Sequence, residues 1–189
     1  MLDKIKSIYT ESIQTFISCG ETLPNQLQLA ANMMVQCLLN GNKVLTCGVQ
    51  GGILLADHMA DILVNHYEIE RPCLPAISLS NRLSTNVDCY GRQVRALGQP
   101  TDILLAISPL GHDEVVINAV EAALTKDMIV IAMTGGDGGE LSGLLSDNDV
   151  EIRIPSSRPS RILETHFFNI HCLCDLIDNI LFSQPHGDE

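Results

Sequence analysis

The chain has 189 residues, 46% of them hydrophobic and 18% charged, with 4% aromatic residues and no Trp, which is enough for one domain around a sizeable aliphatic core. Its formal net charge of −12 excludes a direct nucleic-acid binder that works by neutralising phosphates with Lys and Arg. No apolar run reaches the roughly 18–20 residues that span a bilayer, and seven Cys, odd in number and without paired spacing, exclude a disulfide framework and point to a reducing cytoplasm.

The opening Met–Leu–Asp–Lys–Ile–Lys–Ser has mixed charge and no apolar core segment, so no signal peptide is expected. Leu2, Ile5, Ile8, Tyr9, Ile13, Phe16 and Ile17 then recur at helical spacing, and Gly20 is expected to end that helix. Thr22 is expected to cap a second one, with Pro24 in its first turn, running to about Asn40, where Gly41–Asn42 stops it. Residues 43–47 read as a first buried strand and 48–52 as a glycine-rich turn. An apolar helix follows over 53–67 and a second strand over 74–79; residues 80–89 are polar and ambiguous. The pattern continues with a helix over 90–97, a strand over 103–108, a helix over 113–125, a strand over 128–134, a short helix over 140–145 and a strand over 150–154. One long final helix covers 161–182, and 184–189 reads as a polar tail.

Strands alternating with helices make a parallel sheet covered on both faces. Five such strands predict a three-layer α/β/α sandwich, doubly wound and flavodoxin-like, with two extra N-terminal helices. We expect one domain over 1–189: a helical pair at 1–41 serving oligomerisation, a core at 42–183 and the tail. Ligands in such folds sit beyond the carboxyl ends of strands at the topological switch point, which selects the turns 48–52 and 108–113. The second is informative: an apolar strand ends at Ser108 and a helix opens near Asp113. A helix N-terminus offers free N–H groups and partial positive charge to a phosphate, yet here it opens with Asp113 and Glu114. The final helix, about 33 Å long at 1.5 Å per residue, is apolar around much of its circumference, and such helices are buried. Oligomerisation with closed symmetry is the expected means. Cys172 and Cys174 stand two apart on it and face different ways.

Several segments together resemble a known family. They are Tyr9–Thr–Glu–Ser–Ile–Gln–Thr15, Gly41–Asn–Lys–Val–Leu–Thr–Cys–Gly48, Glu70–Arg–Pro–Cys–Leu–Pro–Ala–Ile77 and Arg92–Gln–Val–Arg–Ala–Leu–Gly98. To these add Thr134–Gly–Gly–Asp–Gly–Gly–Glu–Leu141, Val150–Glu–Ile–Arg–Ile–Pro–Ser156, Arg161–Ile–Leu–Glu–Thr–His166 and Cys172–Leu–Cys–Asp–Leu–Ile–Asp–Asn179. Spread over nearly the whole chain, they resemble the SIS (sugar isomerase) domain family. The branch is that of the bacterial phosphoheptose isomerases and the DiaA-type initiator-associating proteins, and the match is closest to the latter. The resemblance implies a five-stranded parallel sheet and a homotetramer. It also implies one of two functions. Phosphoheptose isomerases interconvert sedoheptulose 7-phosphate and a heptose 7-phosphate; the DiaA-type proteins bind copies of the replication initiator DnaA and promote its assembly at the origin.

Set against the isomerase pattern, the chain departs at most chemical positions. The first phosphate turn, of Gly–Asn–Gly–Gly–Ser type in the family, is Gly48–Val–Gln–Gly–Gly52, so Val49 and Gly52 replace Asn and Ser. Only Ser108 and Gly111 survive from the second turn, and Pro109 removes a donor. Gly48, Gln50, Gly51, Gly52, Ser108 and Gly111 are therefore a phosphosugar pocket remnant. A carboxylate about 5 Å from a phosphate charge costs about 3 kcal/mol at an effective dielectric near 20, so Asp113 and Glu114 oppose phosphate; the plainer role for both is first-turn helix capping. Of the family's metal and acid–base set, His58 and His171 match, while the Glu position is Ile62 and the Gln position Leu163. Asp61 points about 100° away around the helix. His58 and His171 are thus either vestigial, two satisfied buried histidines, or weak ligands for a divalent metal such as zinc; no cofactor is expected. Segment 80–89 is shorter than the family's by about one helical turn or more, and His66, His112 and His186 read as surface. The Leu181–Phe182 pair matches the apolar pair with which DiaA-type proteins engage DnaA. The leading expectation is a cytoplasmic, non-enzymatic homotetramer that binds a DnaA-like initiator, with no direct nucleic-acid or membrane contact; the alternatives are a phosphoheptose isomerase or a phosphosugar-binding regulator.

Overall fold

A computed structural model describes residues 1–80 and 86–182. Among the described residues seven helices and five strands follow in order: α1 (Leu2–Thr22), α2 (Pro24–Leu39), β1 (Val44–Gly48), α3 (Gly52–Val64), β2 (Ala76–Ser78), α4 (Cys89–Leu97), β3 (Ile103–Ile107), α5 (Glu114–Thr125), β4 (Ile129–Gly135), α6 (Gly139–Ser142), β5 (Val150–Ile154) and α7 (Pro159–Phe182). The strands form one parallel sheet in the order β2-β1-β3-β4-β5. Its register sets Val44 beside Ile103, Ile103 beside Ile129, and Ile131 beside Val150.

Side chains alternate along each strand, and here both faces are apolar. Val44, Ile103, Leu105, Ile107, Ile131 and Met133 point into a core shared with α2, α3 and α7. Leu45, Cys47, Leu104, Ala106, Val130 and Ala132 point into a second core shared with α4 and α5. The expected α/β/α sandwich is what these residues build. At the amino edge of the sheet the buried Asp102 carboxylate accepts from the Lys43 and Gln99 amides, the Asn42 side chain and Lys43 Nζ at 2.5 Å. Burial pushes its pKa up, but those donors outweigh burial and hold it below the usual carboxylate range. Among the described residues no helix is long and apolar enough to cross a membrane.

Three local expectations need correction. Gly20 does not end α1, which runs on to Thr22. Thr22 caps nothing: its hydroxyl donates back to Ser18 O at 2.9 Å. The N-cap of α2 is Leu23, with Pro24 in the first turn. Leu23 is buried, its amide bonds Cys19 O and its carbonyl accepts from Leu27, so apolar anchoring rather than a capping hydroxyl makes the corner. The helix expected over 53–67 ends at Val64, because Arg71 donates to the carbonyls of Ile62 and Leu63 and satisfies the end of the helix there.

α1 lies along α7. The buried Arg161 donates to Ser12 Oγ at 2.6 Å and Ile8 O at 3.1 Å, and Ser12 Oγ donates to Glu164 at 3.2 Å. The opposite face of α1 stays exposed: Leu2, Ile5, Tyr9, Ile13 and Ile17 form one apolar stripe at helical spacing.

Candidate functional site

In this strand order the chain leaves β1 toward β2 on one side and returns to β3 on the other, so the switch point lies between β1 and β3. The turns expected there do meet. A Cβ at Gly52 would lie 3.0 Å from Ile107 Cγ2, and one at Gly48 only 2.4 Å from Gly52 O, so the first turn folds tightly against the end of β3. Gln50 takes a positive φ of 52°. Gln50, Pro109, Leu110, His112, Asp113 and Pro159 line one cavity of about 130 Å³.

The hydrogen bonding behind its wall differs from the expectation. The buried Ser108 hydroxyl donates to Asp113 Oδ2 at 2.7 Å and accepts the Gly111 amide at 3.0 Å. Asp113 stands at the N-cap position of α5 but makes no side-chain cap bond. Capping by Asp113 is therefore corrected: its carboxylate reaches back five residues to the serine. Glu114 is in the first turn and exposed. Gly111, at φ +72°, touches the next turn so closely that a Cβ would sit 1.9 Å from Gly138 O, and its carbonyl accepts from Leu141 N at 3.0 Å. Three turns are thus locked together, and the serine that would offer its hydroxyl to an outside anion already holds an internal one.

Leu163 closes the other side. A Cβ on Gly51 would lie 2.7 Å from Leu163 Cδ1, so an apolar methyl covers the glycine turn where the isomerase pattern has an amide. Ile62 is buried among apolar residues. His58 and His171 do come together, Nε2 to Nε2 at 3.0 Å, so one ring donates and the other accepts. Phe167 stacks on His58, with centroids 5.1 Å apart, and both Phe167 and Tyr67 lie against His171. Burial, then the neighbouring His171, pushes the His58 pKa down. These residues do not fit a zinc centre: a structural site takes four protein ligands and a catalytic one three. Two imidazoles bonded to each other and ringed by aromatics supply too few donors, and among the described residues no three His, Cys, Asp or Glu side chains group to hold a metal.

His66 and His112 are exposed, the latter 3.7 Å from Glu140; His186, and residues 81–85 of the segment expected to be short, lie outside the described residues. Leu181 and Phe182 are half-buried at the end of α7 and pack on the first core. The sequence reading missed His166. Fully buried, it donates from Nε2 to Thr134 O at 2.8 Å, while Nδ1 has no partner among the described residues. Its position two turns into α7, facing β4, was the available signal.

The SIS domain profile matches residues 8–135. A protein named DnaA initiator-associating protein DiaA from Photorhabdus laumondii is 54% identical over 198 positions, covering all of both chains. A protein named phosphoheptose isomerase from Shewanella piezotolerans is also 54% identical, over 97% of this chain and 98% of its own. The Photorhabdus alignment is longer than the 189 residues here, so that relative carries positions this chain lacks. Among solved structures, a phosphoheptose isomerase from Francisella tularensis superposes with a TM-score of 0.90 at 43% identity, over 94% of this chain and 98% of that one. On the profile match and these whole-chain relatives, the chain belongs to the SIS domain family.

Proposed function

We infer that this SIS-domain protein is a non-enzymatic homotetramer that binds the replication initiator DnaA and promotes initiation of chromosome replication. The observation that carries this reading is the Ser108–Asp113 hydrogen bond of 2.7 Å. It places a carboxylate where a phosphosugar would bring a second anion, and the pair repel by about 3 kcal/mol per unit of phosphate charge. Ile62 and Leu163 add to it. Opening a sugar ring and moving a proton between adjacent carbons needs a base and an acid across the substrate, and neither apolar side chain can serve. What remains is surface. The Photorhabdus relative, whose name states DnaA association, matches along its whole length, and Leu181–Phe182 ends the last helix. The exposed stripe on α1, and an apolar groove of about 590 Å³ between α1, α2 and α7 lined by Phe16, Leu27, Phe168 and Leu176, support assembly. A tetramer presenting several such helix ends gains affinity through multivalency.

The competing reading is a phosphoheptose isomerase, favoured by the equal identity of the Shewanella relative and by the Francisella fold. One pair of assays separates the two. In the first, purified protein is incubated with sedoheptulose 7-phosphate and followed by NMR. In the second, immobilised protein is offered DnaA. Capture of DnaA without turnover supports the inference; turnover without capture sinks it and establishes the isomerase.

A further inference from the structure

Arg71, in the loop between α3 and β2, has a side chain 1% exposed and holds three segments at once. Its Nε donates to Asp178 Oδ1 at 2.5 Å, Nη1 to Leu63 O at 2.9 Å and Pro72 O at 3.2 Å, and Nη2 to Ile62 O at 2.8 Å. The guanidinium carbon also lies 5.9 Å from the centre of the Phe182 ring, within reach of a cation–π attraction. Asp178 and Phe182 are four apart on α7 and therefore share a face one turn apart. One buried cation grips the last turn of α7 at both points, with its other donors fixed to the carboxyl end of α3.

We propose that Arg71 is a positioning residue for the end of α7: it holds Phe182, and with it Leu181, in the orientation offered to a protein partner. The partner rests on the DnaA reading above; the grip itself does not. The last turn of a helix frays unless something holds it, and a surface ordered before contact loses less entropy on binding. Lysine cannot replace the guanidinium, because a single ammonium on a flexible stem cannot reach four acceptors in a fixed fork.

The test uses the full chain with Arg71→Lys, the paired apolar replacement Arg71→Met/Asp178→Leu, and Leu181→Ala/Phe182→Ala as reference. Amide hydrogen exchange reads the grip and calorimetric titration with DnaA reads presentation. The paired replacement is expected to melt cooperatively and exchange the amides of residues 179–182 at least tenfold faster, with the sheet unchanged. DnaA affinity then falls at least tenfold although Leu181 and Phe182 are intact, and Arg71→Lys shows the same two changes should the pair fail to fold. Unchanged exchange together with unchanged affinity in the folded variants overturns the proposal. If the unaltered protein takes up no DnaA, the partner reading falls, and the exchange rates alone decide the grip.

Discussion

Ser108 gives its hydroxyl hydrogen to Asp113 at 2.7 Å and takes the Gly111 amide hydrogen at 3.0 Å, so the turn at the sheet's switch point is closed by its own carboxylate. Replacing that carboxylate with a hydroxyl reopens it. Asp113→Ser is expected to bind inorganic phosphate about 100-fold more tightly than the unaltered chain, which is the like-charge cost of about 3 kcal/mol at roughly 5 Å expressed as a ratio. Titration followed by phosphorus NMR measures it. Equal, weak binding by both would mean that Asp113 is not what excludes the anion.

Two glycines make a matched pair for stability. Gly111 combines φ +72° with a Cβ position 1.9 Å from Gly138 O, whereas a Cβ at Gly20, inside α1, meets nothing within 4 Å. Gly111→Ala is expected to cost about 3–5 kcal/mol, a loss of the size reserved for strain and backbone collision. Gly20→Ala is expected to gain up to about 1 kcal/mol from helix propensity. Urea unfolding of both variants checks the contrast.

The buried His166 makes folding sensitive to acid. Burial pushes its pKa from 6.5 down to about 4. Below pH 6.5 the unfolded chain therefore binds a proton that the folded chain refuses. Stability from this group is complete above pH 6.5 and is lost as pH falls toward 4, by about 3 kcal/mol in all. Glu151 adds a loss at lower pH. Burial raises its pKa, but bonds from Arg153, Thr134 and Ser142 outweigh that and hold it below the usual range. His166→Gln is expected to flatten the slope between pH 6.5 and 4 in thermal melts, leaving the steeper carboxylate-driven fall below it.

Much of this was legible in the chain. The alternation of short apolar runs with helical spacing located all five strands and the switch point, because period is a local property that a sheet and a helix each impose on sequence. Ends were less legible. Gly20 looked like a stop, but a single glycine costs a helix only about 1 kcal/mol, less than the burial of Leu23 beyond it supplies. The end of α3 depends on Arg71, whose ion-pair partner Asp178 lies 107 residues away, and no local pattern announces that. An acid just before a helix has the pattern of a cap, and sequence carries no sign that Asp113 turns back to Ser108 instead. His58 and His171 meet as their spacing in the family pattern implies, whereas the contact of Leu163 with Gly51 joins residues 112 apart in the chain and has no local signal.

The proposed function lies on the outer surface of the proposed tetramer and not in the switch-point pocket. The most direct measurement is a set of DnaA binding isotherms for the unaltered protein, the pocket variant Asp113→Ser and the helix-end variant Leu181→Ala/Phe182→Ala. The expected result is equal affinity for the first two and at least a tenfold loss for the third. Loss of DnaA binding by Asp113→Ser, with the helix-end variant unaffected, would contradict it.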